Sequence, residues 1–321
     1  MNAGYPRLLG DIGGTNARWA WQPHAGAPPN DVQVQACRAN ASILDSANQY
    51  LAATGHTRPI AAAIGIATTI NGDTVQMLNH SWSFSIAQFE AALGVQHCLV
   101  MNDFTALAMS LPALTASDVR VIGGGKALAN APIALLGPGT GLGVSGLIAD
   151  HAGRFTALSG EGGHVSLAAA DEFEAALITL LQKQFGHASA ERALSGPGLV
   201  NLYEALCTLE GIPSRALTPA GVSQAAIAKT DAECERAVQV FASLLGSVAG
   251  NLALTLGATG GLYVGGGVVP KLGAAFDANL FRSRFEAKGR FASYLSAIPT
   301  AVITAAHPAL IGASRALDSA H

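Results

Sequence analysis

The chain has 321 residues, half of them hydrophobic and only 12% charged, with a formal net charge of −3. That length predicts two domains with ample core, and the slightly acidic balance argues against a nucleic-acid binder. No continuous apolar run comes near the eighteen or so residues of a membrane span. Met1 to Gly10 lacks the charged start and long apolar stretch of a signal peptide, so the expectation is a soluble, cytoplasmic protein without a membrane partner.

In chain order, Arg7 to Gly10 reads as a strand. The turn Asp11-Ile12-Gly13-Gly14-Thr15-Asn16 follows, and Ala17 to Trp21 is its hairpin partner. Ala25 to Asn30 is a proline-containing loop. Ser42 to Ala53 reads as a helix capped by Ser42 or Asp45, and Ile60 to Ala67 as an apolar strand. Asn79 to Trp82 is a polar, aromatic loop. Ser85 opens a helix through Leu93 in which Ser85 and Gln88 fit a capping box. Cys98 to Asn102 is the next strand and delivers Asp103 at its C-terminal end, where α/β sheets usually place their chemistry. Thr105 to Leu111 should be a helix that stops at Pro112.

The pattern then begins again, with a strand over Val119 to Ile122, a glycine cluster, and a second hairpin from Ile133 to Ile148. Its turn is Gly137-Pro138-Gly139-Thr140-Gly141-Leu142-Gly143. Glu172 to Gln184 has helix periodicity, and Ser195-Gly196-Pro197-Gly198 is a turn. Cys234 to Leu256 is a long helix whose Gly246 and Gly250 permit close packing, and Leu262 to Val264 is a buried strand ending in Gly265, Gly266 and Gly267. The densest basic stretch, Arg282 to Arg290, is interrupted by Phe281, Phe285, Glu286 and Phe291 at helical spacing, which reads as a solvated helix face. Cys37, Cys98, Cys207 and Cys234 stand far apart without a CxxC pair, so reduced thiols are expected rather than zinc or disulfides. His24, His56, His151 and His321 read as surface or loop residues.

The two glycine-threonine turns carry the most information. Gly13, Gly14, Gly139 and Gly141 can take positive φ and let backbone N–H groups approach an anion, while Thr15 and Thr140 add hydroxyl donors. Gly141 to Gly146 also satisfies a dinucleotide GxGxxG string, with Glu161 where a ribose-binding acid would stand. That fingerprint needs a helix after the turn, and Val144 to Ala149 reads as a strand. The sole Gly-Lys pair, Gly125-Lys126, has the wrong neighbours for a Walker loop. Two phosphate hairpins on paired lobes remain the reading.

Gly10 to Arg18, Asn102 to Ala106, Gly137 to Gly143, Gly160-Glu161-Gly162-Gly163-His164, Ser189 to Arg192 with Leu194 to Gly198, and Gly265 to Gly267 occur in the order and approximate spacing of bacterial glucokinases. The resemblance covers nearly the whole chain. It implies an actin-like, ribonuclease H-like fold of two α/β domains with a cleft between them, residues 1–112 plus 305–321 forming the small domain and 113–304 the large one. It also implies ATP and Mg²⁺ as cofactors, D-glucose as substrate, phosphorylation at the 6-hydroxyl, and a homodimer. Kinases of another hexose such as mannose or an N-acetylated amino sugar, ADP or polyphosphate as donor, and a non-catalytic sugar sensor on the same fold stay open at this point.

Residue by residue, Asp103 matches the family's catalytic base, with an N-cap for the following helix as its plainer role. Asn102, Glu161, His164 and Glu191 match the residues that hold the remaining hydroxyls. Two glycines and an acid beside His164 make a compact polar loop suited to a sugar. Asp11 matches the metal-side acid, acting on Mg²⁺ through water. Gly10, Asp11, Ile12, Gly13, Gly14 and Thr15, with Gly139, Thr140 and Gly141, would cover the phosphates, and Gly265, Gly266 and Gly267 the adenosine. Pro138 departs from the pattern, because proline removes a backbone donor. The cysteine-rich CxCGxxGCxE loop of the zinc-binding relatives is absent from Val165 to Glu174, and no helix-turn-helix fits before the first strand. Since the sugar residues fall on both sides of Pro112, one glucose bridging them is expected to close the cleft.

Overall fold

The computed structural model describes residues 4–77 and 80–319. Asn79 of the expected 79–82 loop, His321 and the first three residues of the Met1 to Gly10 stretch lie outside the described residues. Internal contacts divide the chain into two units. One holds the chain up to Thr115, Ala149–Ser159 and the segment from Ala305; the other holds Ala116–Ile148 and Gly160–Thr304.

The first unit is built on strands β1 (Arg7–Ile12), β2 (Asn16–Gln22), β3 (Asn30–Ala36), β4 (Ala61–Ile66) and a later strand, His97–Asn102. Between β4 and that strand lies a small antiparallel pair, β5 (Thr74–Gln76) and β6 (Ser83–Ser85), which makes His97–Asn102 β7. The sheet order is β3-β2-β1-β4-β7. β1 and β2 form an antiparallel hairpin, whereas β4 runs parallel to both β1 and β7. Strands in parallel register are covered on both faces, and every residue of β4, Ala-Ala-Ala-Ile-Gly-Ile, is buried. Successive side chains face opposite ways. Leu8 joins Ile12, Trp19 and Ile64 on one face, and Leu9 joins Ala20, Ala61, Ala63, Leu310 and Leu317 on the other.

The small residues of β4 bring helix Asp103–Ser110 close. A Cβ on Gly65 would lie 2.8 Å from the Ala106 Cβ and 3.4 Å from the Asp103 Cα, and one on Gly312, in helix Pro308–Ser319, 1.6 Å from the Ala106 carbonyl oxygen. These contacts seat the first turn of the helix that carries Asp103. Ser42 caps helix Ile43–Thr54 by accepting from Asp45 N–H, and Ser85 caps Ile86–Leu93 by accepting from Gln88 N–H, each at 3.1 Å. β3 lies beyond the elements expected from sequence; it is an edge strand whose Val32 and Val34 are exposed.

In the second unit β8 (Val119–Gly123), β9 (Ile133–Pro138) and β10 (Leu142–Ala149) precede β11 (Phe155–Leu158), which groups with the first unit. β12 (Leu262–Val264) and β13 (Thr300–Ile303) complete the strands, and the order along the sheet runs β10-β9-β12-β13-β8. β12 is parallel to β9 and β13, and β9 with β10 is again an antiparallel hairpin. The core of this unit is helical. Ala232–Leu256 is long and apolar enough by composition to cross a membrane, but 72% of its most apolar window is buried inside the protein. Its glycines serve packing: a Cβ on Gly246 would lie 2.2 Å from the Phe281 carbonyl oxygen, and one on Gly250 2.5 Å from that of Phe285.

Two local expectations change, and the reading of the cysteines holds. Ser195 to Gly198 opens helix Gly196–Glu210, with Ser195 as its cap and Pro197 in its first turn, where a missing N–H costs nothing. The basic stretch is not a solvated face. Arg282 is buried and donates to the Leu295, Ser296 and Ile298 carbonyls, and Arg284 is paired at 2.8 Å with the buried Glu174. All four cysteines are free, and Cys37, Cys207 and Cys234 are buried.

Candidate active site

The first glycine turn joins β1 to β2. Gly13 N–H donates to the Asn16 carbonyl at 2.9 Å, closing the hairpin. The turn is held from outside by Cys37, whose N–H donates to Thr15 O at 2.9 Å and whose thiol donates to Gly13 O at 3.3 Å. Burial raises the Cys37 thiol above its ordinary pKa, against the pull of Arg18, so it stays protonated as a donor. Gly13 does not take positive φ, contrary to expectation, and a Cβ there would find nothing closer than 3.6 Å. Its glycine leaves an open face rather than permitting a strained backbone. Thr15 is exposed at the tip.

Asp11 and Arg18 are cross-strand partners of this hairpin, and the guanidinium donates to Asp11 Oδ2 at 3.3 Å. Burial pushes the Asp11 carboxyl above its ordinary value, against the opposing pull of Arg18 and, more weakly, His307. When ionised, this largely buried carboxylate is an oxygen acceptor of the kind a hydrated magnesium ion uses.

At the end of β7, Asn102 is the true N-cap: its Oδ1 accepts from Phe104 N–H at 2.8 Å and Thr105 N–H at 3.3 Å. The helix therefore starts at Asp103, two residues earlier than expected, and the plainer role for Asp103 passes to its neighbour. Asp103 Oδ1 accepts from Phe104 N–H at 2.9 Å, which fixes the carboxylate at the positive end of the helix. Asn102 Nδ2 donates to the Thr68 carbonyl at 3.3 Å. Both side chains are half-buried, with their orientations set by backbone groups.

The second turn gathers every remaining candidate of its unit. Gly139 N–H donates to Gly141 O and Gly196 N–H to Gly139 O, both at 2.8 Å. Leu142 N–H donates to Glu191 Oε2 at 2.9 Å. A Cβ on Gly163 would lie 2.0 Å from the Leu142 carbonyl oxygen, and one on Gly162 2.8 Å from Val144, so the Glu161 to His164 loop rests on β10. That loop is a short 3-10 turn closed by His164 N–H donating to Glu161 O at 3.0 Å, with both side chains exposed. Gly266 has φ +74°, and a Cβ on it would meet the Pro138 carbonyl at 2.3 Å. Gly139 and Gly141 do not take positive φ; Gly139 has an open face, its nearest neighbour 4.0 Å away. Beside Gly267, the Lys271 Nζ lies 3.8 Å from where a Cβ would stand.

The structure thus assembles two sets, each within its own unit: Gly10 to Thr15, Asn102 and Asp103 in the first, and Gly139 to Gly141, Glu161, His164, Glu191 and Gly265 to Gly267 in the second. Sequence reasoning gave no role to Arg18, Cys37 or Lys271. The Arg18 pairing is legible from hairpin register, since a tight turn at residues 13–15 sets it opposite Asp11; nothing local marks Cys37. Among the described residues no cluster of three His, Cys, Asp or Glu could hold a metal ion by itself. A magnesium ion would depend on phosphate and water for most of its shell, which is how that ion is usually bound.

Two α/β units, each with a glycine hairpin open to an anion and carboxylates set at strand and helix ends, define a sugar kinase of the actin-like, ribonuclease H-like class. The glucokinase family model matches residues 8–320. The glucokinase of Aromatoleum aromaticum is 54% identical over 317 residues, covering 98% of this chain and 96% of that protein. The crystal structure of a glucokinase from an Antarctic psychrotroph superposes with a TM-score of 0.89 at 34% identity, covering 98% of each chain. A glucokinase of Streptomyces griseus, solved with glucose and AMPPNP, shares the fold with a TM-score of 0.64 at 20% identity over 96% of this chain and 98% of that one. The chain belongs to the glucokinase family.

Proposed function

We propose that the two residue sets divide the glucokinase reaction, transfer of the γ-phosphoryl group of ATP to the 6-hydroxyl of D-glucose. In the first unit Asp103 accepts the hydroxyl proton as the oxygen attacks phosphorus. Its carboxylate is already oriented by Phe104 N–H. Asn102, its Oδ1 committed to the helix cap and one amide N–H to the Thr68 carbonyl, offers its second amide N–H to a neighbouring hydroxyl. In the second unit Glu161, His164 and Glu191 hold the remaining hydroxyls.

The open faces at Gly13 and Gly139 are spaces that a Cβ would partly fill, and they fit a polyphosphate chain. Because Gly13 N–H and Gly139 N–H close their own hairpins, the donors to phosphate are the amides and hydroxyls nearer the tips, at Gly14, Thr15, Thr140 and Gly141. Gly10 and Ile12 carry the strand that presents them, and Gly265 to Gly267 line the adenosine. Asp11 would hold a hydrated magnesium ion, which would neutralise phosphate charge when bound with ATP. We place the enzyme in the cytoplasm as a homodimer.

The observation that carries this reading is the fixed Asp103 carboxylate at the end of β7. A coupled assay of the purified chain over a panel of hexoses and phosphate donors tests it, with Asp103→Asn separating binding from turnover. A preference for another sugar, or an Asp103→Asn variant as fast as the parent enzyme, overturns the assignment.

A further inference from the structure

Glu191 is placed to do two things at once. Its Oε2 accepts from Leu142 N–H at 2.9 Å, and a Cβ on Gly141 would lie 2.4 Å from that oxygen and 3.2 Å from Cδ. The carboxylate therefore lies against the phosphate turn itself, in the space that glycine leaves. Among the described residues Oε1 makes no protein hydrogen bond.

The backbone around Glu191 is held from several sides. Ser195 Oγ donates to Glu191 O at 2.9 Å, Ala190 N–H donates to Val165 O at 2.9 Å, and the Arg192 guanidinium stacks 4.2 Å over the Phe185 ring. The Ala190 bond ties it to the His164 loop, and the Gly196 bond to Gly139 ties the next residues to the turn. Leu142 sits between the two partners, its N–H on Glu191 and its carbonyl against Gly163.

We propose that Glu191 is shared between sugar and nucleotide: Oε2 sets the second phosphate turn while Oε1 takes a glucose hydroxyl, so that occupancy of the sugar side stiffens the turn that receives ATP. This rests on the reading of Glu191 as a sugar ligand and adds that the same carboxylate positions Gly141 and Leu142. A hydrogen bond to a charged group contributes enough to make the coupling measurable. Sharing one acid couples the two ligands reciprocally, since each must shift the other's affinity by the same factor.

The test is calorimetric, with each ligand measured alone. Gly141→Ala displaces the carboxylate without altering Glu191, and we expect it to weaken glucose binding in the absence of nucleotide by about tenfold. Glu191→Ala should weaken binding of AMPPNP with Mg²⁺ in the absence of sugar by about threefold or more, because Leu142 N–H loses a charged acceptor. Glu191→Gln should restore that nucleotide affinity, since a carboxamide oxygen still accepts from Leu142, while glucose affinity stays low for want of a second oxygen. If Gly141→Ala fails to fold by circular dichroism, the two Glu191 variants decide alone. Wild-type AMPPNP affinity in Glu191→Ala overturns the sharing. If Glu191→Ala also keeps wild-type glucose affinity, the sugar-ligand reading falls too, and the two failures are thereby told apart.

Discussion

The two glycine hairpins look alike in sequence and are built differently. The first carries its own acid, Asp11, set across the ladder from Arg18, and its turn is clasped by one residue, Cys37, through thiol and amide. The second has no acid of its own and draws the Glu191 carboxylate from a separate helix, with the Gly163, Gly196 and Gly266 segments packed onto it. A turn that carries its acid can be altered without disturbing distant segments. A turn assembled from four segments links each of them to the others. The first hairpin is therefore suited to chemistry on the phosphate, and the second to joining recognition of different ligand parts.

The largest effect is expected in the unit of the first hairpin, where the proposed function puts Asp103 and Asp11. Asp103→Asn should lower turnover by roughly 10²–10⁴ while calorimetry shows glucose still bound, because a carboxamide accepts a hydrogen bond but takes no proton. Near wild-type turnover would reduce Asp103 to a helix-terminal acid. Asp11→Asn should lower turnover by about tenfold or more and shift the Mg²⁺ dependence upward, leaving the nucleotide-free glucose affinity unchanged.

The same substitution sharpens the contrast through stability. The folded pKa of Asp11 is raised above its ordinary, unfolded value, by burial first. The stability that its proton contributes is fully present below that value and is lost as pH rises through the folded one. Above its folded pKa the ionised group opposes folding, so there Asp11→Asn should melt at a higher temperature than the wild type. That advantage should shrink as pH falls toward the carboxylate range. Calorimetric melts at several pH values check the sign, and a lower Tm for the variant at pH 7 would mean that Arg18 outweighs burial.

Glycine substitutions break the comparison more directly. Gly266→Ala forces a Cβ to 2.3 Å from a backbone oxygen at φ +74°, and should cost about 2 kcal/mol or more in denaturant unfolding. Gly13→Ala meets no such clash. It should change stability by less than about 1 kcal/mol while weakening AMPPNP binding, since the methyl group occupies the face offered to phosphate. Equal losses of stability from the two would erase the distinction between an assembled turn and a self-contained one.

The smallest effect is expected at Cys37. Cys37→Ala removes the thiol bond to Gly13 and should cost about 1 kcal/mol, with a matching rise in the KM for ATP. Cys37→Ser keeps a donor at the same place and should restore most of the ATP affinity. A serine variant no better than alanine would assign the residue to core filling alone.

Much of this was legible before folding because it is local. The apolar run of β4, the caps at Ser42 and Ser85, and the hairpin turns depend on neighbours a few residues away, where residue type and backbone preference suffice. The polar sets were legible because their spacing follows a family pattern, which groups Asn102 with Asp103 and Glu161 with His164. β3 was missed because its alternating valines face solvent at a sheet edge, leaving no core-facing run to read.

The sequence by itself determined which residues carry chemistry suited to phosphate and sugar, since glycine, threonine and carboxylate chemistry is written residue by residue. Only the tertiary structure decided what each does to its neighbours. It gave the helix cap to Asn102 rather than Asp103 and buried the Arg282 guanidinium that charge alone put in water. It also laid Glu191 in the space left by Gly141, fifty positions earlier. Such contacts join segments far apart in the chain, and their geometry is set by the packing of whole helices against a sheet, which no local preference encodes.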